Sequence, residues 1–214
     1  MSEIKKRVSA AVFAPNRLVA LTDGVFAIVM TLLVLEITLP EITQPTLQAE
    51  LPRKLLELWP KLYHYAIGFI TLGVFWGYHH LAFHSIKRSD MALVWLNIVF
   101  LMFVALIPFS ASIQVWGPQQ VQVSQVINML NSALPVAMAL IIWSYATGKH
   151  RLVDSDISPR FVKVHKLTLI GLLLLFMLVI GISFVNVHIS GFLGLVLLVG
   201  AIVMLFKMPG MLSQ

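Results

Sequence analysis

Cysteine is absent from this 214-residue chain, and charge is scarce: Asp, Glu, Lys and Arg together make up 11% of it. Without cysteine there are no disulfides, thiolate metal sites, iron–sulfur clusters or cysteine nucleophiles. Without charge the surface of a water-soluble globule cannot be built, since such domains carry about 25% charged residues. What fills the space is apolar: 59% of the residues are hydrophobic and the mean hydropathy is +0.91. Several runs approach or exceed the roughly 20 apolar residues that cross a bilayer. The length suits five to seven spans and leaves no room for an additional folded soluble domain.

Six spans are expected, approximately Arg17 to Leu39, Leu62 to Ser85, Met91 to Val115, Val123 to Thr147, Val164 to Val185 and Ile189 to Phe206. The fold class is therefore an all-α integral membrane protein, with residues 1–16 a cytosolic segment and 17–214 one six-helix unit. The first apolar stretch is too long for a signal's core and lacks a small-residue cleavage site, so it reads as a span.

Lys and Arg fix the orientation. With the N-terminus inside, the inner face receives Lys5, Lys6, Arg7, Arg17, Lys87, Arg88, Lys149, Arg151, Arg160, Lys163, Lys166 and Lys207. The outer face receives only Arg53, Lys54 and Lys61. This positive-inside bias places both termini in the cytosol of a multi-pass protein of the cell membrane. Trp59 and Trp116 fall near outer ends, as interfacial anchors do. The net charge of +6 is thus a topology signal, and nucleic acid is not an expected partner.

The external segment between the first two spans is marked by Pro40, Pro45, Pro52 and Pro60. Leu47, Leu51, Leu55 and Leu58 recur there at three- and four-residue spacing, which suggests a short interfacial helix. Gly148 to Lys166 carries mixed charge and reads as a linker between a four-helix half and a two-helix half. No internal repeat of the transporter kind is evident.

The first helix stands apart. It carries Arg17, Thr22, Asp23 and Thr31 and ends in Glu36, whereas the other spans are largely Leu, Val, Ile, Phe and Gly. At about 100° per residue, and with Ile28 as zero, Leu35 lies within about 20°, Leu32 and Gly24 within about 40°, and Thr31 about 60° away. Asp23 points about 140° away from this stripe, toward neighbouring helices. An ionisable group within a span costs about 2.5–3.5 kcal/mol, so Asp23 is expected as a buried acid bonded to His79, His80, Trp76 or Asn97. A stripe containing one threonine is ordinarily a packing face. If several copies met at an axis, it would line the opening.

The run from Arg17 through Leu21-Thr22-Asp23 to Glu36-Ile37 resembles the first-helix signature of the endosomal/lysosomal potassium channel family (transmembrane protein 175 type). That signature is Arg, three residues, then Phe-Ser-Asp; here Leu stands for Phe and Thr keeps the hydroxyl of Ser. The resemblance extends to Trp76 and His79-His80, and from Asn97 to Pro108-Phe109. It implies a potassium-selective channel, a homotetramer lined by four copies of the first helix, without a Thr-Val-Gly-Tyr-Gly filter. It further implies that Ile28 forms the constricting layer, Leu32 and Leu35 continue the narrow stretch outward, and Thr31 supplies a hydroxyl layer for selectivity. Arg17, Thr22, Asp23, Trp76, His79, His80 and Asn97 would form the motif's structural network. An apolar ring can gate by dewetting, and hydroxyl oxygens can replace part of a cation's hydration shell. Glu36 and the negative end of the helix dipole would favour cations at the outer mouth.

Two other readings stay open. Asp23 and the membrane histidines could serve a proton-coupled secondary transporter, since intramembrane acids often move protons and a histidine changes charge near about pH 6.5. His80 and His84, four apart on one helical face, have a metal-like spacing but no carboxylate beside them. No Asp, His or Ser cluster has the spacing of an enzyme site. Neither enzymatic activity nor a cofactor is expected beyond permeant potassium ions.

Overall fold

Proline and short polar side chains set the helix starts. Pro15 opens α1, Pro15–Leu32, where its missing N–H would be unpaired in any case. The helix then tightens into a 3₁₀ turn over Leu33–Glu36. A short amphipathic helix follows, α2, Leu47–Leu56. Pro60 and Pro159 lie in the first turns of α3, Trp59–Ser85, and α7, Pro159–Ser183. The Asp90 carboxylate accepts from the Leu93 N–H at the start of α4, Met91–Ala105. Asn186 caps α8, Val187–Lys207, by accepting from the N–H groups of His188 and Ile189. Between them lie α5, Ile107–Ile113, and α6, Val121–Thr147. This computed structural model describes residues 14–37, 47–113 and 121–211, with backbone only for 47–50.

Six stretches among the described residues are long and apolar enough to cross a membrane. At 1.5 Å per residue the longest helices reach roughly 40 Å, which exceeds a hydrocarbon core of about 30 Å. The third span is broken: α4 stops at Ala105 and α5 resumes at Ile107. Pro108 cannot donate to a carbonyl four residues back, which accounts for the interruption. Pro135, in contrast, lies inside an uninterrupted α6.

The last three helices begin earlier than hydropathy suggested, at Val121, Pro159 and Val187 rather than Val123, Val164 and Ile189. Leu39, Val115, Trp116, Pro40 and Pro45 lie outside the described residues, as do Lys5, Lys6 and Arg7. The short helix expected between the first two spans is present as α2, and Trp59 is exposed at the start of α3.

The bundle centres on α4 and α6. α1 packs on α3, α4 and α5, while α6, α7 and α8 pack in succession on the other side. The segment 148–158 does not separate two halves. Leu152 and Val153 are buried, and the backbone N–H groups of Lys87 and Arg88 both donate to the Leu152 carbonyl. Arg88 Nη2 also donates to the carbonyls of His150 and Val153, at 3.0 and 2.9 Å. The turn before α4 is thereby stitched to the turn before α7.

Candidate functional site

The face that α1 turns inward is Leu18, Thr22, Phe26, Val29 and Leu33, spaced by three and four residues and buried. Its opposite face stays open. Ile28 is 61% exposed, Leu32 42% and Leu35 68%, and Thr31 is exposed with them. The 3₁₀ turn changes the geometry of this stripe. At roughly 120° per residue, Leu35 comes to stand directly above Leu32, because side chains three apart eclipse in a 3₁₀ helix. Ile28, Thr31, Leu32 and Leu35 thus share one face that the chain's own helices leave uncovered. The Thr31 hydroxyl donates to the Ile28 carbonyl at 2.7 Å, which leaves its oxygen lone pairs free to face outward. Glu36 closes the stripe at the end of the 3₁₀ turn and is half-buried.

Behind the stripe, two hydrogen-bonded groups attach α1 to its neighbours. In the first, the Asn97 amide donates to the Thr22 hydroxyl at 3.1 Å, and His79 Nε2 donates to Asn97 Oδ1 at 2.8 Å. All three residues are buried. The His79 ring lies between Phe83 and Phe100, with centroids 4.1 and 5.1 Å away. The second group lies at the bundle's edge: Trp76 Nε1 donates to Asp23 Oδ1 at 2.8 Å, and the same indole stacks on His80 at 5.2 Å.

Asp23 therefore finds one of its expected partners but not the expected burial; it is exposed on the single chain. The reason is angular. Thr22 occupies the inward direction, and Asp23, about 100° further round, falls at the rim where α1 meets α3. The network thus holds Thr22, Asp23, Trp76, His79, His80 and Asn97 in two separate groups. Arg17 belongs to neither; it is exposed, and its side chain has no hydrogen-bond or ion-pair partner among the described residues.

His84 is exposed and, with His80, borders a polar recess of about 360 Å³ that also includes Asn16 and Lys87. No group of three metal-ligating side chains occurs among the described residues. No direct hydrogen bond among them joins Asp23 to a histidine; Trp76 stands between Asp23 and His80.

Sequence reading missed one polar node, at the end of the bundle where α4 begins and α6 ends. The Asp90 carboxylate accepts from the Tyr145 hydroxyl at 2.6 Å and pairs with Arg151 Nε at 3.4 Å, while the Arg151 guanidinium lies 4.5 Å over the Tyr145 ring. Partial burial raises the Asp90 carboxyl, but the bonds from Tyr145 and the Leu93 N–H, with the Arg151 charge, outweigh it and hold the group below its usual range. The helix-capping position of Asp90 was the only signal for it in the sequence.

Residues 17–108 match the sequence model of the endosomal/lysosomal potassium channel TMEM175 family. A potassium channel of Streptomyces collinus is 31% identical over 174 residues, covering 80% of this chain and 83% of that one. The endosomal/lysosomal proton channel TMEM175 of Gallus gallus is 33% identical over 44% of this chain and 20% of its own length. Among solved structures, a lysosomal potassium-selective channel TMEM175 homolog from Chamaesiphon minutus superposes with a TM-score of 0.78 at 26% identity, covering 89% of this chain and 97% of that one.

Proposed function

The chain belongs to the endosomal/lysosomal potassium channel TMEM175 family, and from that premise we infer that it is a passive, potassium-selective channel of the cell membrane. Four copies assemble around an axis, and the open stripe of α1 lines the pore. Both termini lie in the cytosol, so α1 runs from an inner end at Arg17 to an outer mouth at Glu36. The observation that carries this reading is the exposure of Ile28, Thr31, Leu32 and Leu35 on one face, while the opposite face of α1 is fully engaged.

In such an assembly Ile28 forms the narrowest ring and gates by excluding water. One turn outward, the Thr31 oxygens replace part of the ion's hydration shell, and the eclipsed pair Leu32 and Leu35 extends the apolar passage. Glu36 and the carboxyl end of the helix draw cations to the outer mouth. Thr22, Asp23, Trp76, His79, His80 and Asn97 hold α1 at a fixed angle to its own bundle.

The test is ion flux from liposomes containing purified protein, with potassium, sodium and proton gradients run in parallel. Potassium flux above sodium, raised several-fold by Ile28→Asn and made less selective by Thr31→Ala, is the expected result. Permeation indifferent to both substitutions would remove α1 from the pore. The proton arm addresses the relative named as a proton channel and separates passive proton leak from saturable coupled uptake.

A further inference from the structure

A cavity lies away from the α1 stripe, inside the bundle between α3, α6, α7 and α8. Its volume, about 440 Å³, falls in the range of roughly 300–1,000 Å³ that small-molecule pockets occupy. The floor is closed by direct contact of α3 and α8. The Tyr78 hydroxyl donates to the Ala201 carbonyl at 3.0 Å, and a Cβ on Gly77 would stand 2.6 Å from the Leu205 side chain. From this contact the lining extends toward the end of the bundle where α3, α6 and α8 begin, reaching Tyr63, Val121 and Val187.

The lining is graded. At depth it is hydrocarbon: Val74, Phe75, Val136, Leu169, Leu172 and Leu198. Nearer the mouth, one face of α6 presents Gln125, Asn128 and Ser132, spaced by three and four residues, with Tyr63, His64 and His188 at the rim. Gln125 donates to Ser190, and Asn128 Oδ1 accepts from the Ser110 hydroxyl at 3.3 Å. The Asn128 amide N–H groups and the Ser132 hydroxyl have no partner among the described residues, and Ser132 is only 7% exposed. A polar group at this depth is costly without a partner. No Lys, Arg, Asp or Glu lines the cavity among the described residues, so a charged group would enter without a counter-ion.

We propose that this cavity binds a neutral single-chain amphiphile: a hydrocarbon tail between Val74, Val136, Leu169 and Leu198, and a hydroxyl-type head bonded to Ser132 and Asn128. From Asn128 to Ala139 the α6 wall spans roughly 16 Å at 1.5 Å per residue, a length that suits a mid-length alkanol. The head both donates and accepts, which matches the amide N–H groups of Asn128 and the hydroxyl of Ser132 together. One such site exists in every subunit and is independent of any central pore.

The test uses the full chain in phosphatidylcholine–phosphatidylglycerol nanodiscs and a decanol bearing a diazirine at its tail end, with labelled positions read by peptide mass spectrometry. Label is expected in the segments around Val136–Ala139, Leu169–Leu172 and Leu198–Ala201. Decanol should compete it away, and decane and decanoate should compete several-fold less well. Ser132→Ala, a change small enough to keep the fold, should weaken decanol competition by roughly 2- to 10-fold, the worth of one hydrogen bond, without altering that of decane. Ala139→Phe should block labelling, with the thermal melt checking that it folds. Label spread over lipid-facing positions such as Leu174 and Phe206 would overturn the site. Equal competition by decane would overturn the recognition of the head and leave a plain acyl-chain groove, and stronger competition by decanoate would overturn its neutrality.

Discussion

Trp76 donates its indole N–H to Asp23 across the α1–α3 contact at 2.8 Å, while one residue earlier in α1 Thr22 is fully buried and bonded to α4 through Asn97. Adjacent residues thus tie one helix to two different neighbours.

Trp76→Phe keeps a ring against His80 but removes the donor. A hydrogen bond to a charged group is worth about 1.5–3 kcal/mol, and exposure at the bundle's edge puts this one at about 1–2 kcal/mol. The substitution should lower unfolding stability in detergent by that amount and reduce the yield of assembled protein. Asp23→Asn keeps the acceptor oxygen but not its charge, and should cost less than Trp76→Phe in the same assay. It should also leave passive ion flux in place; loss of all flux from a stable Asp23→Asn protein would instead favour coupled transport through that carboxylate.

Asn97 serves two helices at once. Hydrogen bonds between helices in a bilayer average about 0.6 kcal/mol, with a ceiling near about 1.7. Asn97→Leu breaks two and should cost about 1–3 kcal/mol. The double substitution Thr22→Val/Asn97→Leu should cost less than the sum of its parts, since the second change removes an already unpaired hydroxyl. A denaturation series on the three variants measures this directly.

Asp90 makes an acid-sensitive contribution with a defined sign. Its folded carboxyl titrates below the ordinary 3.8. The stabilisation it confers is therefore complete above the unfolded value and lost as pH falls through the lower, folded one. Tyr145→Phe removes the shortest bond to the carboxylate and should bring the folded value back toward the unfolded one. Melting curves between about pH 5 and pH 3 should show a shallower acid decline for Tyr145→Phe than for the native chain.

Gly77 lets the Leu205 side chain of α8 pack close against α3, where a Cβ would stand 2.6 Å from it. Gly77→Val should cost about 1–3 kcal/mol by overpacking. Leu205→Ala should restore at least half of that loss, because the clash is with the Leu205 side chain. Failure of the rescue would mean that the valine acts on α3 itself.

Spans and open stripe were legible because the bilayer selects for apolar length and because helical angles are fixed. The inward faces were not. In a membrane bundle the lipid-facing and buried residues are equally apolar, so hydropathy does not mark the interior. What marks it here is small and polar: Thr22, Asn97, Ser110, Asn131, Ser132 and Ser190 are buried. Asn97, Asn128 and Asn131 do bond across helices as their type suggests, yet nothing in sequence order pairs Asn131 with Ser110. Helix starts were misplaced by two to five residues on α6, α7 and α8, because polar or charged side chains in the first turns, Gln122 on α6, Arg160 and Lys163 on α7 and His188 on α8, lower the local hydropathy. The stitch from Arg88 to the His150 and Val153 carbonyls was invisible, since backbone acceptors carry no sequence signature.

The mounting of α1 has a mechanical consequence. Its principal neighbours are α3, α4 and α5, whereas α7 and α8 lean on α6 and on the far side of α3. α1 is in effect a cantilever clamped by the first half of the chain. Tilting or rotating it strains the Asn97 and Trp76 bolts directly and reaches α7 and α8 only at second hand. The two closing helices act as a counterweight, which other sequences could supply. The family model's match, residues 17–108, takes in α1, α3, α4 and the start of α5, the elements that make up this clamp.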